Sequence, residues 1–199
     1  MTSARISRRV LLIRHGQTEW SLTGRHTGRT DIPLTEKGTR DAAALVGIGD
    51  QVGLVDPYVI VSPRRRAQQT AQLAGLHIDE TSELCAEWDY GDYEGLTVPQ
   101  IHELDPAWAI WTSGAPHGES VTDMTRRVDA AVARVEQRLA DSDVIVVSHG
   151  HFSRSFICRF LGWPIAQGAN IDLAPAGNAL LADTGSTRRL VHLRGPEGS

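Results

Sequence analysis

Three short apolar runs constrain this chain more than anything else in it. Val10 to Ile13, Tyr58 to Val61 and Val144 to Val147 are continuous stretches suited to strands buried on both faces. Segments with helical period separate them. That alternation is the pattern of an α/β fold with a mostly parallel sheet, and it predicts a three-layer α/β/α sandwich.

The helical signals are specific. Thr35, after Pro33 and Leu34, is a good N-cap for a helix running through DAAALVGI. Ser62 and Pro63 suit the N-cap and first position of a helix that Gly75 closes. The longest helix is expected from near Glu119 to about Ala140. There Val121, Met124, Val128, Ala131, Val132, Val135 and Leu139 form one apolar stripe, which reads as core. A further helix after Val147 ends at Gly162 and Pro164. Ala179 to Ala182 and Leu190 to Leu193 are shorter strand candidates extending the sheet.

The 199 residues fit a single domain, and the basic N-terminus and the tail RGPEGS are expected to fray. Residues 87–118 stand apart as a loop-rich cap segment with a short helical candidate at Val98 to Leu104. Its tryptophans could fold over a site or simply pack against the body. A net charge of −4 recommends neither nucleic acid nor an anionic membrane as partner, and no apolar stretch is long enough to span a membrane. Cys85 and Cys158 show no pairing pattern, so the expected compartment is the cytoplasm. A homodimer is compatible with the sequence.

Each of the three runs ends in polar residues. The first ends in Arg14-His15, the second in SPRRRA and the third in SHGH. In open α/β sheets, ligands sit beyond the carboxyl ends of the strands. If the three strands are neighbours, two histidines and several guanidinium groups share one crevice. Taken singly, each signal is weak: a histidine past a strand is more often a turn residue than a catalyst. Arg64, Arg65 and Arg66 would crowd the positive end of a helix, an arrangement that calls for an anion. Arginine forks suit phosphate. Neither GxxxxGK[ST] nor GxSxG occurs. His149 and His151 lie two apart without a carboxylate-rich ligand run, so no metal and no cofactor is expected.

RHGQT at 14–18, TGRTDIPLTEKG at 27–38, SPRRRAQQTA at 62–71, EWDYGDYEG at 87–95 and SHG at 148–150 together resemble the histidine phosphatase superfamily, with its phosphoglycerate mutase-like fold. The motifs run in family order over about two thirds of the chain. The resemblance implies that His15 is the nucleophile that becomes phosphohistidine and that Arg14 grips the phosphoryl oxygens. Arg66, the arginine before alanine, corresponds to the phosphate-binding position. His149, followed by Gly150, corresponds to the second histidine, expected to be protonated. Glu87 corresponds to the proton donor, with Glu94 and Asp89 as rivals. Thr27 and Gly28 correspond to positions that touch substrate in the mutase branch.

The implied activity is a phosphomonoesterase, an acid phosphatase acting on small organic phosphates with broad specificity. A neutral His15 and a protonated Glu87 imply a bell-shaped profile with an optimum at roughly pH 5 to 6.5. Two departures matter. Ser21 stands where the family pattern expects asparagine, so a phosphate contact is weakened or passes to a hydroxyl. Residues 96–118 contain no lysine or arginine, whereas the mutase branch carries cationic residues there, and Arg127 reads as structural. The alternatives are a cofactor-dependent phosphoglycerate mutase and a non-catalytic module that binds phosphorylated ligands.

Overall fold

The structure, a computed structural model, describes residues 8–196. The fraying expected of the basic N-terminus lies outside them over residues 1–7, and that of the tail RGPEGS from Glu197 onward, whereas Arg194, the tail's first residue, pairs with Asn178 in the sheet. Strand β1 (Arg8–Arg14) is followed by helices α1 (Glu19–Leu22), α2 (Glu36–Ala43) and α3 (Ile48–Gln51). Strand β2 (Tyr58–Val61), helix α4 (Arg65–Leu73) and the short strand β3 (Glu80–Thr81) come next. The crossover holds α5 (Val98–Leu104) and α6 (Ile110–Ser113) and leads into the long helix α7 (Val121–Leu139). Strand β4 (Val144–Ser148), helix α8 (Gly150–Phe160) and strands β5 (Asn178–Asp183) and β6 (Arg188–Arg194) complete the chain.

The six strands form one sheet in the order β3-β2-β4-β1-β5-β6. β1, β2, β3 and β4 pair in parallel, while β5 runs antiparallel to both of its neighbours. Only β5 is reversed, so the sheet is mostly parallel as expected.

Alternation along β1 shows the layers. Val10 and Leu12 pack with Val128 and Val135 of α7 and Phe152 and Phe156 of α8. Leu11 and Ile13 face the other way, against Leu45, Ile48, Ala67 and Ala71 around α2 to α4. All four β1 side chains are fully buried, and burial of each stabilises the fold by roughly 1.5–3 kcal/mol. The sandwich is therefore held by a sheet apolar on both faces.

Two helix starts and one helix end differ in detail from the sequence reading. α4 begins at Arg65 rather than Pro63: the Ser62 hydroxyl bonds His149 Nε2 at 2.7 Å and accepts from the Arg64 amide only at 3.4 Å. Its cap is remote: the Arg65 amide donates to Asp31 Oδ1 at 2.8 Å. Thus the anion that three arginines at a helix start called for is the Asp31 carboxylate, with Glu83 pairing Arg64 at 3.5 Å. α7 is capped by Ser120, which accepts from the Asp123 amide. α2 stops at Ala43, and the left-handed Gly47 (φ 75°) separates it from α3.

Tryptophans of the crossover pack into the body. Trp88, Trp108 and Trp111 are buried, with the Trp88 and Trp108 indoles donating to the Glu119 and Gly114 carbonyls.

Candidate active site

The sheet order places β2, β4 and β1 side by side, so their polar carboxyl ends meet. The His15 amide donates to the Ser148 carbonyl at 2.8 Å, which locks the RHG turn to the SHG turn. The rings of His15 and His149 lie edge to face with centroids 5.2 Å apart. Gly16 is a steric necessity, and Gly150 is closely packed. A Cβ on Gly16 would sit 2.5 Å from the Gly38 carbonyl oxygen, and one on Gly150 would press 3.2 Å from the Arg14 guanidinium carbon.

His15 is buried, and its Nδ1 lies 2.7 Å from the Gly16 carbonyl. A carbonyl can only accept, so Nδ1 carries a proton, and in the neutral ring Nε2 keeps its lone pair. Burial, then the charges of Arg66 and Arg14, hold this imidazole well below the ordinary histidine value. Arg14 donates from Nη1 to the Leu173 carbonyl at 2.6 Å, while its buried Nε has no hydrogen-bond partner.

Arg66 is fully buried. Its Nη1 and Nη2 donate to the carbonyls of Thr30, Thr27 and Gly28, and its Nε donates to His149 Nδ1 at 3.2 Å. A guanidinium cannot accept, so His149 Nδ1 accepts and Nε2–H donates to Ser62. His149 is therefore neutral, where the sequence led us to expect an imidazolium. Burial, Arg66 and His15 hold it well below the ordinary value.

Glu87 is separated from its rivals by position. Its Oε1 accepts from the amides of Trp88 and Phe152, and its Oε2 from that of His151. Two of those amides belong to the first turn of α8, whose positive end faces the carboxyl group. Oε2 retains an acceptor position. Glu94, by contrast, accepts from the Gly28 and Thr30 amides and fixes the 27–30 loop. Asp89 pairs with Arg29 at 2.8 Å. Arg127 is structural, as expected: it grips Glu119 with Nε and Nη2, both at 2.7 Å, and donates to the carbonyls of Leu84, Ala86 and Glu87. The segment carrying Glu87 is thereby pinned to α7.

Arg14, His15 and Glu87 line a crevice of about 230 Å³ together with Thr27 and Gly150. Arg66 and His149 lie behind it, and Gly28 spends its amide on Glu94. Ser21 also lines the crevice, yet its hydroxyl accepts from the Thr18 amide and donates to the Thr18 carbonyl in the cap of α1. It does not stand in for the missing asparagine.

Among the wall residues that sequence reasoning did not place in the site are Arg25, His26, Tyr90, His151 and Arg154. The Tyr90 hydroxyl, also in the wall, bonds His151 Nδ1 at 2.6 Å, and His26 stacks on His151 with centroids 6.0 Å apart. Burial, then Arg154 and His26, hold His151 well below the ordinary value. The SHGH motif contained His151 and only its pairing with His149 had been weighed. Among the described residues, no group of three or more histidine, cysteine or acidic side chains could hold a metal ion.

A mostly parallel α/β sandwich that buries a neutral histidine between two arginines at its strand ends defines a phosphoryl-transfer class of protein. The comparisons agree. The chain matches the histidine phosphatase superfamily (branch 1) over residues 10–194 and belongs to that family. It is 46% identical over 185 residues, covering 93% of this chain and 91% of the relative, to an acid phosphatase of Mycobacterium tuberculosis. It is 33% identical over 187 residues to the sedoheptulose 1,7-bisphosphatase of Saccharomyces cerevisiae, covering 77% and 68% of the two chains. A solved structure of an open reading frame product from Mycobacterium tuberculosis superposes with a TM-score of 0.92 at 46% identity, covering 95% of this chain and 98% of that one. The chain is thus a histidine-type phosphatase. No helix among the described residues is long and apolar enough to cross a membrane.

Proposed function

We propose that this chain hydrolyses small organic phosphomonoesters, as an acid phosphatase of broad specificity, through a phosphohistidine on His15. The observation that carries this reading is the His15 imidazole, held below the ordinary histidine value by burial and by Arg66 and Arg14, with its Nδ1 tied to the Gly16 carbonyl. Nε2 of His15 attacks phosphorus and the P–O bond to the alcohol breaks. A proton from Glu87 Oε2 goes to the leaving oxygen. Water then attacks the phosphohistidine, its proton returns to Glu87, and inorganic phosphate leaves with His15 restored. Arg14 and Arg66 balance charge on the phosphoryl oxygens, with His149 holding the Arg66 guanidinium in its plane.

Against the mutase alternative stands the absence of any lysine or arginine in residues 96–118. Arg126 pairs with Asp123 on the surface and Arg127 is committed to Glu119. The test is hydrolysis of p-nitrophenyl phosphate, followed by incubation with 3-phosphoglycerate and a trace of 2,3-bisphosphoglycerate. Release of inorganic phosphate supports the phosphatase reading. Isomer interconversion without phosphate release would establish the mutase instead, and binding without turnover the non-catalytic module.

A further inference from the structure

The wall beyond His15 carries more positive charge than one phosphoryl group uses. Arg14, Arg25 and Arg154 line the crevice, with Glu87 as its only acidic lining residue. Arg14 and Arg66 are the charges that act on His15; Arg154 does not, and acts instead on His151, where Arg14 contributes less. Arg154 stands four residues along α8 from Gly150, the residue against which Arg14 packs. One helical turn, about 5 Å along the axis, therefore displaces the Arg154 backbone from that contact.

Arg154 is also held in place. Its Nε donates to the Gly168 carbonyl at 2.8 Å and its Nη2 to the Ala169 carbonyl at 3.3 Å. Its guanidinium carbon lies 4.8 Å from the centre of the Trp111 ring. Two of its three nitrogens are thus anchored by carbonyls and Nη1 is left to face a ligand. Three comparably ordered arginines have a carboxylate partner: Arg127 pairs with Glu119, Arg134 with Glu80 and Arg159, on the same helix, with Asp129, whereas Arg66, like Arg154, is held by carbonyls. Arg154 has carbonyls and an indole face but no carboxylate at ion-pair distance among the described residues. Glu87 and Asp172 act on it only from beyond ion-pair distance, and a half-buried, ordered cation in that setting favours a ligand that supplies a closer counter-charge.

We propose that Arg154 is a specificity-determining residue that reads a second anionic group on the alcohol part of the substrate. This rests on the phosphatase reading of the same crevice. It narrows the expected breadth: simple phosphomonoesters are hydrolysed, but those with a carboxylate or second phosphate a few bonds from the ester are preferred. Arg25, exposed at the mouth, adds to the attraction without such ordering.

Two matched substrate pairs test it. 3-Phosphoglycerate and glycerol 3-phosphate differ by a carboxylate against a hydroxymethyl group. Fructose 1,6-bisphosphate and fructose 6-phosphate differ by a second phosphate. The readout is the ratio of kcat/KM within each pair, which cancels the amount of folded enzyme. Arg154→Gln is expected to lower the ratio about 10- to 100-fold in at least one pair, the loss typical of one charged hydrogen bond, and that pair identifies the anion. Arg154→Lys should restore part of it. Equal losses within both pairs would overturn the proposal, because Arg154 would then serve the transferred phosphoryl group or Glu87. A parallel measurement of Kd for the same ligands on the His15→Ala background needs no turnover. Equal affinity within both pairs there, with and without Arg154→Gln, would overturn the proposal even if the phosphatase reading failed.

Discussion

Arg66 and His149 act as one unit: Nε of the arginine donates to Nδ1 of the histidine at 3.2 Å, and Nε2–H of the histidine donates to the Ser62 hydroxyl oxygen at 2.7 Å. The chain of donors fixes the guanidinium with no freedom left in its plane. Three backbone carbonyls from residues 27–30 close around the same group. Arg66→Ala therefore orphans four acceptors at once. The expected cost is about 3–5 kcal/mol, read as a lower urea midpoint with unchanged m. Arg66→Lys keeps the charge but not the fork, and kcat/KM should fall about 10²- to 10³-fold, by analogy with loss of a preorganised donor.

Glu87 and Glu94 are both carboxylates close to the crevice, and leaving-group dependence separates their roles. Glu87→Gln should slow alkyl phosphates about 10²- to 10⁴-fold, the range for loss of a general acid, and p-nitrophenyl phosphate much less because its alcohol leaves unaided. Glu94→Gln weakens the bonds to the Gly28 and Thr30 amides and should lower stability instead. Steady-state kinetics on the two substrates checks this. A larger leaving-group effect from Glu94→Gln would reverse the assignment.

Acid should destabilise the fold through two buried histidines and one half-buried one. His15, His149 and His151 all have folded-state values well below 6.5, by burial first and neighbouring cations second. Below about pH 6.5 the unfolded chain takes up protons that the folded chain refuses, so stability falls as pH drops from there toward the folded-state values. Each histidine contributes up to about 1.4 kcal/mol per pH unit in that window. Urea midpoints between pH 7.5 and 5 should decline, and His151→Asn should make the decline shallower. The same depression of His15 places the acid limb of kcat/KM below pH 6.5.

Ser21 belongs to the capping box of α1, bonded both ways to Thr18. Ser21→Ala should cost about 1 kcal/mol, or about 2–4 °C in Tm for a domain of this size. Differential scanning calorimetry reads it. A loss of phosphate affinity with no change in Tm would return Ser21 to the role that asparagine has in the family pattern.

Much of this site was legible because its chemistry sits where strands end. Val10 to Ile13 and Val144 to Val147 are so uniformly apolar that Arg14, His15 and His149 could only be strand termini, and strand ends are where α/β sheets bind ligands. The helix stripe of α7 was equally plain, down to Met124 and Leu139. Non-local bonds were not. Nothing in SPRRR announces that Asp31 caps α4, and nothing in SHGH shows that Arg66 makes His149 an acceptor. The crossover tryptophans allowed two readings, and the packing combines them: they are buried, while Trp108 and Trp111 lie against the wall residues His26, His151 and Arg154. Arg154 was invisible for the same reason: its neighbours Gly168, Ala169 and Trp111 come from separate parts of the chain.

The central claim is a covalent bond between phosphorus and Nε2 of His15. The most direct measurement is rapid acid-free quenching of the enzyme with a ³²P-labelled phosphomonoester, followed by peptide mapping of the label. The account predicts an alkali-stable, acid-labile phosphopeptide containing His15, absent from His15→Ala. Label on another residue, or steady hydrolysis by His15→Ala at the wild-type rate, would contradict it.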